Sequence, residues 1–171
     1  MKIHLTNWPS RALHGPGKLW TIMALPREWE HGDGVVPALV PLREMVIGAH
    51  KGQVDRKTYR DTFTTPRMKG SYEGWSLRPG ELCAVPNDAP WDTLMVASGD
   101  TLCCACGTEK AAQNRCHRTL SSALLSLFGW EVVLDGKPFP SERAMEILAG
   151  SPLWAPRLEP ESSALALFGD P

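Results

Sequence analysis

Short apolar runs and helically spaced apolar positions alternate along the second half of the chain. Residues 101–106 form an apolar run bounded by glycine on either side, which is typical of a strand covered on both faces. From residue 119 to 128 the apolar side chains recur at helical spacing, and Gly129 follows where a C-cap glycine is expected. Residues 130–134 predict a second strand. The order strand, helix, strand predicts a parallel crossover.

The rest of the chain to residue 150 predicts more elements of these two kinds. Further strands are expected at residues 2–5, 19–23, 82–85 and 93–96. Helices are expected around the apolar stripe of residues 39–49, after Asp55 as N-cap, and from Ser141 as cap to Leu148. The sequence therefore predicts one α/β domain over residues 1–150, three-layered and Rossmann-like, with a mostly parallel sheet.

Two stretches depart from this pattern. Residues 64–92 are interrupted by proline and glycine and predict an irregular, lid-like insertion, whose aromatic residues could stack on a planar ligand or simply cover the sheet. Residues 151–171 form a tail that is first proline-rich and then apolar. Because burial of a large apolar side chain contributes roughly 1.5–3 kcal/mol, this tail is expected to dock, either on its own domain or across a homodimer.

Composition narrows the classes of function. A length of 171 residues suits one domain, and a net charge of -1 with a pI near 6.5 gives no footprint for duplex DNA or a membrane surface. The sequence shows no apolar run of transmembrane length and no signal-peptide pattern, so a cytoplasmic location is expected. Of five cysteines, four lie within residues 103–116, which favours reduced thiols or metal ligands over a disulfide framework. No cofactor is predicted.

The candidate chemistry lies where parallel strands end, because ligands bind there and helix N-termini point there. A helix N-terminus favours anions, Arg118 adds a planar fork of donors, and a thiol at this position should have a lowered pKa. The expected partner is a small anionic or nucleotide-like ligand, either sequestered or processed, so the question of enzymatic activity stays open. The candidate ligand-binding residues are Asn7, Ser10, Arg11, Tyr59, Cys106, Cys116, His117 and Arg118.

Other interpretations of the same residues stay open. The cysteines could be small core residues, with His117 and Arg118 merely capping the helix. A thiol-dependent enzyme could use Cys116 or Cys106 as nucleophile and His117 as base, although neighbouring helical residues point about 100° apart. A structural zinc site could use Cys103, Cys106, Cys116 and His117, but residues 103 and 106 of a strand project to opposite faces. No metal ligand is therefore assigned.

A strand that ends in cysteine, a polar loop, and Cys-His-Arg opening a helix together resemble the uncharacterised family numbered four hundred and eighty-eight among domains of unknown function. The resemblance extends upstream through Ser10-Arg11, residues 25–29, residues 39–41 and residues 54–59, and covers most of residues 1–136. It implies a compact three-layer α/β fold with a site at the Cys-His-Arg edge, and it favours a site at Ser10 and Arg11. Many relatives have Cys-x-Glu at the strand end, whereas this chain has Cys104-Ala105-Cys106-Gly107. Glu109 is the nearest glutamate that could take that place.

Overall fold

A computed structural model describes residues 1–30, 32–106 and 116–151. The strands are β1 (Lys2–Asn7), β2 (Leu19–Thr21), β3 (Gly34–Val35), β4 (Ser71–Tyr72), β5 (Trp75–Ser76), β6 (Cys83–Pro86), β7 (Leu94–Met95), β8 (Thr101–Cys104), β9 (Glu131–Leu134) and β10 (Lys137–Pro138). The α-helices of the described ranges are α1 (Arg43–His50), α2 (Arg56–Thr64), α3 (His117–Leu127) and α4 (Ser141–Leu148). Short 3-10 turns occur at Arg11–Leu13, Glu28–Glu30, Pro37–Leu39 and Thr65–Lys69.

Eight of the strands form one mixed sheet in the order β10-β9-β1-β8-β2-β3-β6-β7. The five strands from β9 to β3 are parallel, and the antiparallel strands lie at the two edges. β8 and β9 both pair with β1 in parallel, which confirms the predicted crossover through α3. The fold is thus mixed α/β with a large, mostly parallel sheet.

β8 is shorter than predicted, and this shift matters for the site. The strand ends at Cys104 rather than at Cys106. Its two neighbours end at the same level, because Asn7 at the end of β1 pairs with Cys104, and Thr21 at the end of β2 pairs with Cys103. With no strand left to pair with on either side, the chain leaves the sheet. Cys106 therefore belongs to the loop beyond the strand end.

The predicted helices are present, with corrections at their ends. α1 begins at Arg43 because Val40, which precedes Pro41, is held extended (φ -76°, ψ 125°), and a residue before proline disfavours the helical region. Asp55 caps α2 as predicted, and its carboxylate accepts a hydrogen bond from the Thr58 backbone N–H at 2.8 Å. The prediction that Ser141 caps the last helix is wrong. The extended residue Pro140 occupies the N-cap, and Ser141 is the first helical residue.

The core surrounds the strand β8 and the helix α3. All four residues of β8 are buried, and so are nine of the eleven residues of α3, from His117 to Leu125. α3 contacts β9, β1, α2 and α4, so it is enclosed on more sides than an amphipathic helix at a surface. Its N-terminus consequently lies deep in the domain, beside the ends of β8 and β1.

The segment of residues 64–92 contains the hairpin of β4 and β5 and the sheet strand β6. Arg67 fixes its start, donating hydrogen bonds to the carbonyl oxygens of Ala38 (2.6 Å), Phe63 (2.7 Å) and Val40 (2.9 Å). Its guanidinium also lies 3.7 Å from the Tyr72 ring centroid. This anchoring ties the segment to the 3-10 turn before α1 and to the end of α2.

Some predictions fall on residues outside the described ranges. These are the docking of the tail beyond residue 151 and the position of Glu109, and the homodimer stays a prediction with them. Within the described ranges, no helix is both long and apolar enough to cross a membrane.

Candidate functional site

A cavity of about 680 Å³ opens at the carboxyl ends of the parallel strands. It lies between the segments that follow β2 and β8, the start of α3, and the helix pair α1 and α2. Its volume falls within the roughly 300–1,000 Å³ typical of small-ligand sites. The described residues that line it are Met23, Ala24, Leu25, Pro41, Val46, Ile47, Ala49, His50, Lys51, Val54, Arg56, Tyr59, Arg60, Ala105, Cys106, Cys116, His117 and Leu120.

Basic side chains are the only charged groups among these described lining residues. His50 and Lys51 lie at the end of α1, while Arg56 and Arg60 lie on α2. Arg60 is already engaged, because it donates to the Gly150 carbonyl at 2.6 Å and pairs with Asp61 at 2.8 Å. Lys51 and Arg56 are exposed and form no ion pair within the described ranges. The cavity rim therefore has two cations available to a ligand.

Three cysteine sulfurs meet beside the cavity, whose lining includes Cys106 and Cys116 but not Cys104. Cys104 ends β8, Cys106 lies two residues beyond it, and Cys116 is the N-cap of α3. The three Sγ atoms all lie within 4.8 Å of one another, and those of Cys104 and Cys116 are 3.4 Å apart. Cys104 and Cys116 are buried, whereas Cys106 is half-buried. We call this group the thiol cluster.

Two thiols of the cluster, those of Cys104 and Cys116, are protonated at neutral pH. Hydrogen bonding with Cys106, together with burial, raises the pKa of Cys104 to about 12. Hydrogen bonding with Cys104 and Cys106, followed by burial, raises the pKa of Cys116 well above its ordinary value. The expectation of a lowered pKa at the helix N-terminus is therefore wrong, because desolvation and neighbouring thiols outweigh the helix dipole. This environment does not favour Cys116 as an activated nucleophile.

Arg118 contacts two cysteines of the thiol cluster and does not line the cavity. Its side chain is fully buried, and its guanidinium donates to Asp135 Oδ2 at 3.0 Å, to the Cys106 carbonyl at 3.2 Å and to Cys104 Sγ at 3.6 Å. Asp135, which follows β9, also accepts a hydrogen bond from Thr6 Oγ1 at 3.0 Å. The fork of donors is thus directed at the protein rather than at a ligand.

The N-terminus of α3 is largely capped by Cys116 itself. The Arg118 N–H donates to Cys116 Sγ at 3.4 Å, and the Thr119 N–H donates to the Cys116 carbonyl at 3.0 Å. These bonds use backbone donors that a bound anion would otherwise accept from. The basic side chains of the rim are consequently the stronger source of anion recognition.

His117 lines the cavity as a neutral imidazole. Burial lowers the pKa of His117 to about 4, although a hydrogen bond with the Ile22 backbone acts in the opposite direction. Nε2 is buried and has no hydrogen-bond partner within the described ranges. In a neutral imidazole one ring nitrogen donates and the other accepts, so Nε2 can take either role according to the tautomer.

Tyr59 lies beside the thiol cluster, where burial, followed by the nearby cysteines, raises the pKa of its hydroxyl. The phenol is therefore neutral, and it is one of the residues that line the cavity. A neutral hydroxyl can both donate and accept hydrogen bonds.

Besides Arg118, three predicted ligand-binding residues lie outside the cavity lining. Asn7 is buried at the end of β1, and its Oδ1 accepts a hydrogen bond from the Ser10 backbone N–H at 3.2 Å. Ser10 precedes the 3-10 turn Arg11–Leu13, in which Arg11 is exposed. They share the strand-end edge, but the loop does not reach the lining. Of the eight predicted ligand-binding residues, the structure brings four to the cavity: Tyr59, Cys106, Cys116 and His117.

The structure also changes the predicted set of thiols. Cys104, not Cys103, joins Cys106 and Cys116, while Cys103 Sγ lies 4.0 Å from His14 Nε2. Adjacent residues of a strand face opposite sides of a sheet, so only one of the two can face the cluster. The group of mutually close ligand atoms consists of these three sulfurs, and neither ring nitrogen of His117 belongs to it. The set of four ligands considered for zinc is therefore incorrect.

Sequence reasoning also missed the basic rim. Lys51 follows α1 directly and Arg56 is the first residue of α2, so a short connection holds both at the same end of the helix pair. The signal was present in the sequence as two basic residues on either side of an Asp55 N-cap. Its meaning depended on the helix pair lying over the strand ends.

Comparisons of the chain with protein-family models, curated proteins and solved structures gave no match. The resemblance to the family of unknown function accordingly stays a prediction. The fold and the cavity define a mixed α/β protein with a small-molecule-sized site at the ends of its parallel strands.

Proposed function

We propose that this protein binds a small anionic, nucleotide-like ligand in the cavity at the strand ends. One observation supports this proposal above the others. The described lining of a ligand-sized cavity contains His50, Lys51, Arg56 and Arg60 but no carboxylate. A cavity with one sign of charge raises the local concentration of ligands of the opposite sign.

The two kinds of lining surface suit two parts of such a ligand. Lys51 and Arg56 would bind phosphate or carboxylate at the rim, and the planar donor fork of Arg56 suits bidentate contact with either group. The apolar wall formed by Val54, Tyr59 and Leu120 would receive a planar, less polar moiety.

His117 adds a directional element to this recognition. Its Nε2 has no partner in the described ranges, and a buried polar atom left in that state costs free energy. A ligand group that formed a hydrogen bond with this atom would remove that cost. A nucleotide-like ligand carries such polar groups beside its phosphate, whereas a simple anion does not, and this is the reason for choosing it.

The location agrees with a three-layer Rossmann-like domain, which we propose as the finer description of the fold, because such domains bind ligands beyond the carboxyl ends of their strands. Binding suits both sequestration and turnover of the ligand. Incubation of the protein with the bound nucleotide, followed by chromatography, distinguishes the two.

The proposal is tested by thermal shift and calorimetry with nucleoside mono- and diphosphates, the parent nucleosides and inorganic phosphate. A ligand at about a hundred times its dissociation constant should add roughly 2.7 kcal/mol to the free energy of unfolding. The double variant Lys51→Gln/Arg56→Gln should bind at least tenfold more weakly. Arg43→Gln, an exposed cation on α1 outside the lining, is the matched control.

Two results would contradict the proposal. One is the absence of stabilisation by every phosphorylated compound in the series. The other is a double variant that binds as tightly as Arg43→Gln. If inorganic phosphate binds as tightly as the nucleotides, the rim binds an anion but the apolar wall has no role.

A further inference from the structure

We propose that Cys104, Cys106 and Cys116 form a binding site for a thiophilic divalent cation of the zinc class beside the cavity. The site is independent of the proposed ligand binding, because the cation would be held by sulfurs and not by the basic rim. It goes beyond the sequence-based zinc hypothesis, which used a different set of residues and a histidine.

The geometry of the sulfurs suits such an ion. A zinc–sulfur bond of about 2.3 Å in tetrahedral geometry places the sulfurs roughly 3.8 Å apart. In the thiol cluster the sulfurs of Cys104 and Cys116 are 3.4 Å apart, and all pairs lie within 4.8 Å. Side-chain adjustments of about an ångström therefore bring all three sulfurs to bonding distance of one ion.

The chain positions these sulfurs firmly. Cys104 is held by β8 at the centre of the sheet, and Cys116 by the first turn of the buried helix α3. Arg118 contacts both Cys104 Sγ and the Cys106 carbonyl. Groups in contact with metal ligands orient them and affect metal affinity, and Arg118 occupies that place here.

The balance of charge favours a divalent over a monovalent ion. Each cysteine binds as a thiolate, so every S–H bond present before binding breaks heterolytically, its proton passes to the buffer, and no oxidation state changes. Three thiolates with a divalent ion leave a net charge of minus one, whereas a monovalent ion leaves minus two. The positive end of α3 offsets a single negative charge more readily.

The arrangement leaves a fourth coordination position on the side of the cavity. Cys106 and Cys116 both line the cavity, so the exposed side of the ion would face its interior. Sites with three protein ligands and one open position are typical of ions that contact a substrate or water, whereas structural sites use four protein ligands. A small ligand in the cavity could thus reach the ion.

Titration of the full-length, reduced protein with Cd²⁺ tests the inference. We expect saturation at one ion per chain, the charge-transfer absorbance of cadmium thiolates, and release of at least two protons per ion, from Cys104 and Cys116, in a weakly buffered solution. Cys106→Ser should weaken binding at least about 100-fold. Cys83→Ser, which removes a half-buried cysteine outside the cluster, should leave it unchanged.

A second readout uses the unmodified protein, so the result does not depend on how the variants fold. Saturating Cd²⁺ should protect Cys106 from alkylation while Cys83 reacts at an unchanged rate. Binding of less than one ion per chain, release of fewer than two protons, or equal affinity of the Cys106 and Cys83 variants would overturn the inference. Lys51→Gln/Arg56→Gln should bind Cd²⁺ normally, which separates this site from the proposed anion site.

Discussion

Replacement of Asp135 by asparagine should destabilise the protein far more than loss of an ordinary surface ion pair. Asp135 pairs at 3.0 Å with Arg118, whose side chain is fully buried, while its own side chain is 18% exposed. Removal of one partner from a buried pair typically costs 3–5 kcal/mol, because the remaining charge is left uncompensated. Since water partly reaches Asp135, we expect a loss at the lower end, about 3 kcal/mol.

Asp135→Asn removes the negative charge without changing the backbone conformation that the position requires. Asp135 has a positive φ of 50°, and asparagine is one of the residues that tolerate this conformation. The matched control is Glu131→Gln at the other end of β9, where the carboxylate is 66% exposed and pairs with Lys2 at 2.8 Å. Exposed pairs of this kind contribute roughly 0–1 kcal/mol.

The assay is urea denaturation followed by circular dichroism. Stability should fall in Asp135→Asn with little change in the slope of the free energy against denaturant. If Asp135→Asn and Glu131→Gln lose the same small amount, the view that Arg118 depends on Asp135 is incorrect, and a ligand-binding role for Arg118 would regain support.

Three further predictions concern other parts of the fold. Hydrogen bonds from the Thr58 backbone and side chain lower the pKa of Asp55, so the stability that its carboxylate contributes is present above the ordinary aspartate pKa and is lost as pH falls through the lower folded value. The urea midpoint of Asp55→Asn should therefore fall less between pH 7 and pH 3 than that of the parent protein. An equal fall in both proteins would contradict this. Cys116 should be alkylated more slowly than Cys83 at pH 7, as mass spectrometry can measure, because it is buried and its pKa is raised; equal rates would support an activated thiolate. Trp20→Phe removes the 2.7 Å donor to the buried carboxylate of Asp100 and should cost about 1.5–3 kcal/mol in the same denaturation assay, whereas a loss below 0.5 kcal/mol would show that the other donors to Asp100 suffice.

Elements with strong periodicity were predictable from the sequence. The crossover from β8 through α3 to β9 was predicted from an apolar run, a helical stripe and Gly129, and the structure contains it. The Asp55 cap was predicted from local chemistry alone, which suffices because the acceptor and the Thr58 N–H are three residues apart. Local signals of this kind do not depend on the rest of the fold.

The details of the site depended on contacts between distant residues. Which of Cys103 and Cys104 faces the cluster follows from the phase of β8, and a shift of one residue in a strand reverses every side chain. The role of Asp135 was not predicted, because its partner Arg118 is 17 residues away. The basic rim could not be predicted, because the sequence does not show that α1 and α2 lie over the strand ends.

The placement of Arg118 changes the meaning of the Cys-His-Arg sequence. In the sequence its three residues looked like one anion-binding unit, but the structure divides their tasks. Cys116 contributes a sulfur to the thiol cluster, and His117 presents a neutral ring to the cavity. Arg118 joins the ends of β8 and β9 through Cys104, the Cys106 carbonyl and Asp135. Because the charge of Arg118 is already met by Asp135, its substitution should act on a ligand through the position of the sulfurs and not through loss of a direct contact.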